Sequence, residues 1–86
     1  MGTAVVFYFS VPVGHLSSFK MKNTIRIERA IKDITQADLA EEVGVSRQTI
    51  NSIESNKYTP STVLALKIAR VFGKPLEEIF MLEEGD

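Results

Sequence analysis

The sequence predicts an all-α domain, a compact set of five short helices. Three observations carry that expectation. Apolar residues between Asn23 and Phe80 recur at spacings of three and four rather than alternating. Helix-capping residues precede these runs, and Gly44 and Gly73 follow two of them. The stretch "ITQADLAEEVGVSRQTINSIE", Ile34–Glu54, sets two such runs around only Gly44-Val45-Ser46.

Length and composition bound the reading. The chain has 86 residues, enough for one domain. A core of this size is only marginally stabilising, so an oligomer is expected to help it. There are no cysteines, which excludes disulfides and thiolate metal sites, and His15 alone cannot form a metal site. The net charge is −1, but its distribution is uneven. Residues 21–74 hold nine Lys/Arg against six Asp/Glu, whereas Glu77, Glu78, Glu83, Glu84 and Asp86 fill the end of the chain. A basic body with an acidic tail fits a nucleic-acid-binding domain, although solvated helix faces give similar counts. The expected division is an N-terminal extension over 1–22, either a strand or disordered, a helical domain over 23–82 and an acidic tail over 83–86.

Residues 1–20 carry a single charge, Lys20. The run Ala4–Phe9 is rich in Val and aromatics and reads as a strand. No basic residue precedes it, which disfavours a signal peptide. It is also far shorter than the ~20 apolar residues of a membrane span. An extension ahead of a natural start at Met21 is the other reading that stays open.

Each helix has its own signals. Asn23 or Thr24 caps helix 1, which runs to about Lys32 with Ile27, Ala30, Ile31 and then Ile34 as its apolar side; Lys22, Arg26 and Arg29 share another face. Thr35 and Asp38 form a capping box for helix 2, whose apolar set is Ala37, Leu39, Ala40 and Val43. Gly44 supplies the left-handed residue that ends it. Ser46 caps helix 3, which turns Ile50 and Ile53 inward and ends near Asn56. Thr59 or Ser61 caps helix 4, with Pro60 beside it. Helix 4 is apolar almost all round, as a central helix would be, with only Lys67 and Arg70 breaking the pattern. Pro75-Leu76 opens a short helix 5 with Ile79, Phe80 and Leu82.

Two short helices joined by a tight glycine-containing turn describe a helix-turn-helix. Ala40 permits a close approach between the helices, and Val45 and Ile50 fill the angle. The outward positions of helix 3 are Arg47, Gln48, Thr49, Asn51 and Ser52, none acidic and none large and apolar. These side chains match what a DNA major groove offers. Arg chelates the two acceptors of guanine, Gln and Asn bond bidentately to adenine, and a Thr methyl touches thymine. The first turn of such a helix usually reaches the base edges.

From Asn23 to Phe80 the chain resembles the Cro and phage-repressor (XRE) family, most closely its small stand-alone regulators. Arg29, "TQADLAEEVGVSRQTINSIE", Lys57, Pro60, "ALKIARVFG" and "LEEIF" carry the resemblance. It implies a lambda-repressor-like fold. It also implies base reading by Arg47, Gln48, Thr49, Asn51 and Ser52, and phosphate contacts by Gln36, Ser46, Lys57 and Tyr58. Arg29 and Glu54 match a buried ion pair between helices 1 and 3. Two positions depart from the family's pattern: Ser55-Asn56 replace its frequent Asn-Gly, and Asp33 replaces its glycine between helices 1 and 2.

The function expected is a sequence-specific, homodimeric, cytoplasmic regulator of transcription, most simply a repressor, on an inverted-repeat operator in double-stranded DNA. A protein-interaction module on the same fold, antitoxin-like or coactivator-like, is the alternative. No nucleophile–base pair, carboxylate dyad, phosphate loop or metal-ligand cluster points to an enzyme, and no cofactor, small-molecule ligand or membrane is implied.

Overall fold

A computed structural model describes residues 19–84. The expected strand over 4–9 and His15 lie outside the described residues. The element order is β1 (Phe19–Asn23), α1 (Ile25–Lys32), α2 (Gln36–Val43), α3 (Arg47–Glu54), α4 (Thr62–Phe72), α5 (Leu76–Ile79) and β2 (Phe80–Glu84). The five expected helices are present, and the fold is the compact helical type that the pattern predicts.

Local chemistry sets the helix ends. The Thr35 hydroxyl accepts from the Asp38 N–H at 3.0 Å, and the Asp38 carboxylate accepts from the Thr35 N–H at 3.0 Å, a complete capping box. Ser46 Oγ accepts from the Thr49 N–H, and Ser61, rather than Thr59, caps α4 by accepting from the Leu64 N–H. Asp33 (φ 59°) and Asn56 (φ 62°) hold left-handed turns beside Gly44 and Gly73. Asp and Asn tolerate that conformation better than most residues with a Cβ. Thr24 holds the cap position of α1 without a side-chain cap bond, and Asn23 before it accepts from the Ile25 N–H at 3.1 Å. Asn23 Nδ2 donates to the carbonyl of Ile53 at 2.9 Å, so one side chain joins the start of α1 to the end of α3.

The two-stranded sheet was not foreseen between the ends of the domain. β1 and β2 pair antiparallel, with Met21 opposite Leu82 and Asn23 opposite Phe80. α5 stops after Ile79 because Phe80 adopts an extended backbone, and burial then falls along the strand, from enclosed Phe80 through half-buried Met81 to exposed Leu82. Phe80 and Leu82 are thus strand residues, not the continuation of helix 5. The pairing draws residues 19–22 and 83–84 into the folded body, and puts Lys20 opposite Glu83.

Ile25, Leu39, Ile50, Ile53, Ile68 and Ile79 are fully enclosed, and α2 packs on both α3 and α4. Two helix faces differ from expectation. In α1, Ile27 and Ile31 are 60% and 71% exposed, and Ala30 is also outside; the inward residues are Ile25, Glu28 and Arg29. Both sets have the spacing of one helix face. The polar set turns inward because partners await it: Lys74 Nζ lies 2.7 Å from the Glu28 carboxylate, and Glu54 receives Arg29. In α4, Leu64, Ala65, Ile68 and Ala69 are buried, but Val63 and Leu66 join Lys67 and Arg70 on an exposed outer stripe. Among the apolar residues expected in α2, Ala37 is exposed.

Truncation separates the two faces of α1. Ile25→Ala is expected to cost about 2–5 kcal/mol, as for other enclosed aliphatics. Ile31→Ala should stay within about 0.5 kcal/mol of the wild type, as at an ordinary surface position. Urea unfolding of both variants checks this.

Candidate nucleic-acid interface

The site is built outward from Glu54. Its side chain is sealed from solvent, and Arg29 meets it in a two-pronged pair: Nε donates to Oε2 at 2.6 Å and Nη2 donates to Oε1 at 3.1 Å. Arg29 Nη1 also donates to the carbonyl of Ile34 at 3.1 Å, which fixes the α1–α2 turn. Burial opposes the charge on Glu54, but the hydrogen bonds from Arg29 and Gln36 and the positive charges of Arg29 and Arg26 outweigh it. They hold the carboxyl below its ordinary range. The same hydrogen bond raises the Arg29 pKa. The ion pair that the resemblance implies is therefore formed, between α1 and α3.

Two further side chains gather on this carboxylate. Arg26 Nε lies 3.6 Å from Oε1 while most of its side chain stays in solvent. Gln36, the first residue of α2, donates from Nε2 to Glu54 Oε1 at 3.0 Å and to Asn51 Oδ1 at 3.2 Å. The resemblance gives Gln36 to a phosphate, yet both of its amide hydrogens are engaged by other side chains, Glu54 beneath and exposed Asn51 beside it. A phosphate at this place would meet the backbone N–H groups of Gln36 and Ala37, since the capping box takes that of Asp38. The helix spacing that sets Arg26 beside Lys22 and Arg29 gives no sign of its approach to Glu54. Among the described residues, no buried side-chain polar atom lacks a partner.

Outside this network lies the exposed face of α3. Arg47, Gln48 and Asn51 are exposed, and Thr49 and Ser52 are half-buried. Spacings of three and four put Arg47, Gln48, Asn51 and Ser52 on neighbouring ridges of one surface. The Thr49 hydroxyl lies 2.9 Å from that of Ser46. The loop after α3 is tied back, since the Lys57 N–H donates to the carbonyl of Ser52 at 2.9 Å. Ser46, Gln48, Thr49, Ser52, Lys57 and Tyr58 consequently line one shallow open depression of about 320 Å³. Ser55, at the departure from the family's pattern, turns its hydroxyl back onto the carbonyl of Asn51 at 2.8 Å. The fold thus brings every residue expected to contact DNA to α3 or its borders, with Gln36 turned inward beneath them.

A helix-turn-helix family model matches residues 25–79, which span all five helices. The chain belongs to the XRE-type helix-turn-helix family. An uncharacterised HTH-type transcriptional regulator of Methanocaldococcus jannaschii is 52% identical over 66 residues, covering 77% of this chain and all of that protein. The uncharacterised HTH-type transcriptional regulator YgzD of Bacillus subtilis is 47% identical over 64 residues, covering 74% of this chain and 97% of its own length. A crystal structure described as that of a candidate DNA-binding protein from Bacteroides fragilis superposes with a TM-score of 0.64 at 33% identity. It covers 70% of this chain and 97% of its own. The protein is a DNA-binding transcriptional regulator of this family. Among the described residues no helix is long and apolar enough to cross a membrane.

The XRE-type frame makes the Arg29–Glu54 pair testable by stability. Arg29→Ala leaves a sealed carboxylate short of its main partner and is expected to cost about 3–5 kcal/mol. The acid limb follows from the lowered Glu54 pKa. The stability it contributes is fully present above the unfolded value, about 4.3, and is lost as pH falls through the lower folded value. Chemical unfolding from pH 7 to pH 2 should show the wild type weakening below about pH 4. In Glu54→Gln, starting from a lower stability, that decline should be shallower.

Proposed function

We propose that the protein is a cytoplasmic, homodimeric repressor that reads an inverted-repeat operator with α3. The observation that carries the reading is the surface itself. An acid-free row of exposed hydrogen-bonding side chains stands on a short helix whose rear is bolted to two other helices. Arg47 and Gln48 enter the major groove first, with Thr49, Asn51 and Ser52 behind them. Ser46, Lys57, Tyr58 and the backbone of Gln36 take the phosphates on either side and fix the register. Two copies related by a twofold axis then place their reading helices about 34 Å apart, one turn of DNA, and the bound dimer blocks polymerase by occupancy.

Selection from random duplexes should return an inverted repeat with that spacing. With roughly 6–10 phosphate contacts per complex, affinity for the selected site should fall by about 10³–10⁵ between 50 and 200 mM salt. Sedimentation of the complex should give two chains per duplex. Gln48→Ala should lose about 1–3 kcal/mol at one base position, whereas Lys57→Ala should weaken all sequences alike. Equal losses on every sequence for both variants would remove α3 as the reader. No binding of duplex at either salt concentration would favour an interaction module instead.

A further inference from the structure

Hydrogen-bond polarity in this network is dictated from the inside outward. Glu54 is ionised against Arg29, and a carboxylate only accepts. The Gln36 atom 3.0 Å from Glu54 Oε1 must therefore be the amide nitrogen, not the oxygen. That nitrogen has one more hydrogen, and it lies 3.2 Å from the Asn51 side chain. The Asn51 atom facing it must then be the oxygen. The opposite end of the same planar amide, Nδ2, is what exposed Asn51 offers to the groove.

We infer that Gln36 is a positioning residue that presets Asn51 as a hydrogen-bond donor, so that Asn51 selects a base bearing an acceptor and rejects cytosine. This rests on the proposed reading of DNA by α3. An unconstrained asparagine can bond adenine with both ends of its amide. Here one end is already engaged, so the outward Nδ2 meets guanine N7 or O6, adenine N7 or thymine O4. Cytosine offers an amine donor at that edge and no acceptor. The preference is set by the fixed carboxylate two side chains away rather than by Asn51 alone.

Affinities are measured on the selected operator with all four bases at each half-site position. Asn51→Ala first locates the position whose preference it abolishes. The wild type should disfavour cytosine there by about tenfold. Gln36→Met, which keeps length without the amide, should flatten that preference to within about twofold. It should leave the preference at the Gln48 position near wild type, whatever stability the lost bond to Glu54 costs. Asn51→Asp keeps an oxygen for Gln36 and turns a second oxygen outward. Read as a ratio between bases, which cancels its general charge penalty, it should favour cytosine about tenfold. The inference is overturned if Gln36→Met leaves the Asn51 position as selective as before or weakens all positions evenly. It is also overturned if Asn51→Asp does not move toward cytosine. A wild type with no base preference anywhere would instead overturn the DNA-reading proposal beneath it.

Discussion

The buried carboxylate of Glu54 is the constraint on which the arrangement depends. A sealed charge is tolerable only where every direction supplies a donor. In this fold Arg29 comes from α1 and Gln36 from α2, while Glu54 itself ends α3. Three helices must take their observed places for that set to close. Such a pair adds little net stability compared with apolar residues of equal volume. Its contribution is orientation: it fixes how α3 sits on α1 and α2, and with it which side chains point outward. In a domain that regulates transcription by binding DNA, that orientation matters more than the energy of the pair.

The rest of the domain closes around this joint. A short core of Ile, Leu, Val and Ala holds α2, α3 and α4 together. α1 is joined mainly through polar side chains: Arg29 to Glu54, Glu28 to Lys74, and Asn23, just before it, to the end of α3. The β1–β2 pair then brings together the two ends of the described chain and covers the core beside Phe80 and Met21. A helix that turns Glu28 and Arg29 inward instead of Ile27 and Ile31 needs all of these partners at once, which ties its position to that of α3.

What could be read from the sequence was local. The capping box of Thr35 and Asp38, the Gly44 turn and the inward pair Ile50 and Ile53 all depend on residues within a few positions of each other. The Arg29–Glu54 pair came from resemblance rather than spacing. The misses share a cause. Ile27 and Ile31 form as good an apolar face as any, and only Lys74 and Glu54, distant in sequence, explain why Glu28 and Arg29 turn inward instead. β2 is too short to announce itself, and it becomes a strand because β1, about sixty residues earlier, offers an edge. Gln36 shows the same limit within the site: its residue type fits a phosphate contact, and its inward turn follows from Glu54 and Asn51.

A double-mutant cycle on Arg29 and Glu54 tests the central claim most directly. Arg29→Met and Glu54→Leu are made singly and together, and unfolding free energies are compared. If the pair is the joint described, each single change strands a partner in the interior. The double change should then recover at least about 2 kcal/mol relative to the sum of the singles. It should nonetheless bind DNA less selectively than the wild type, because Gln36 has lost the carboxylate that orients it. Additive losses within about 0.5 kcal/mol, or a double variant with unaltered base selectivity, would contradict the account.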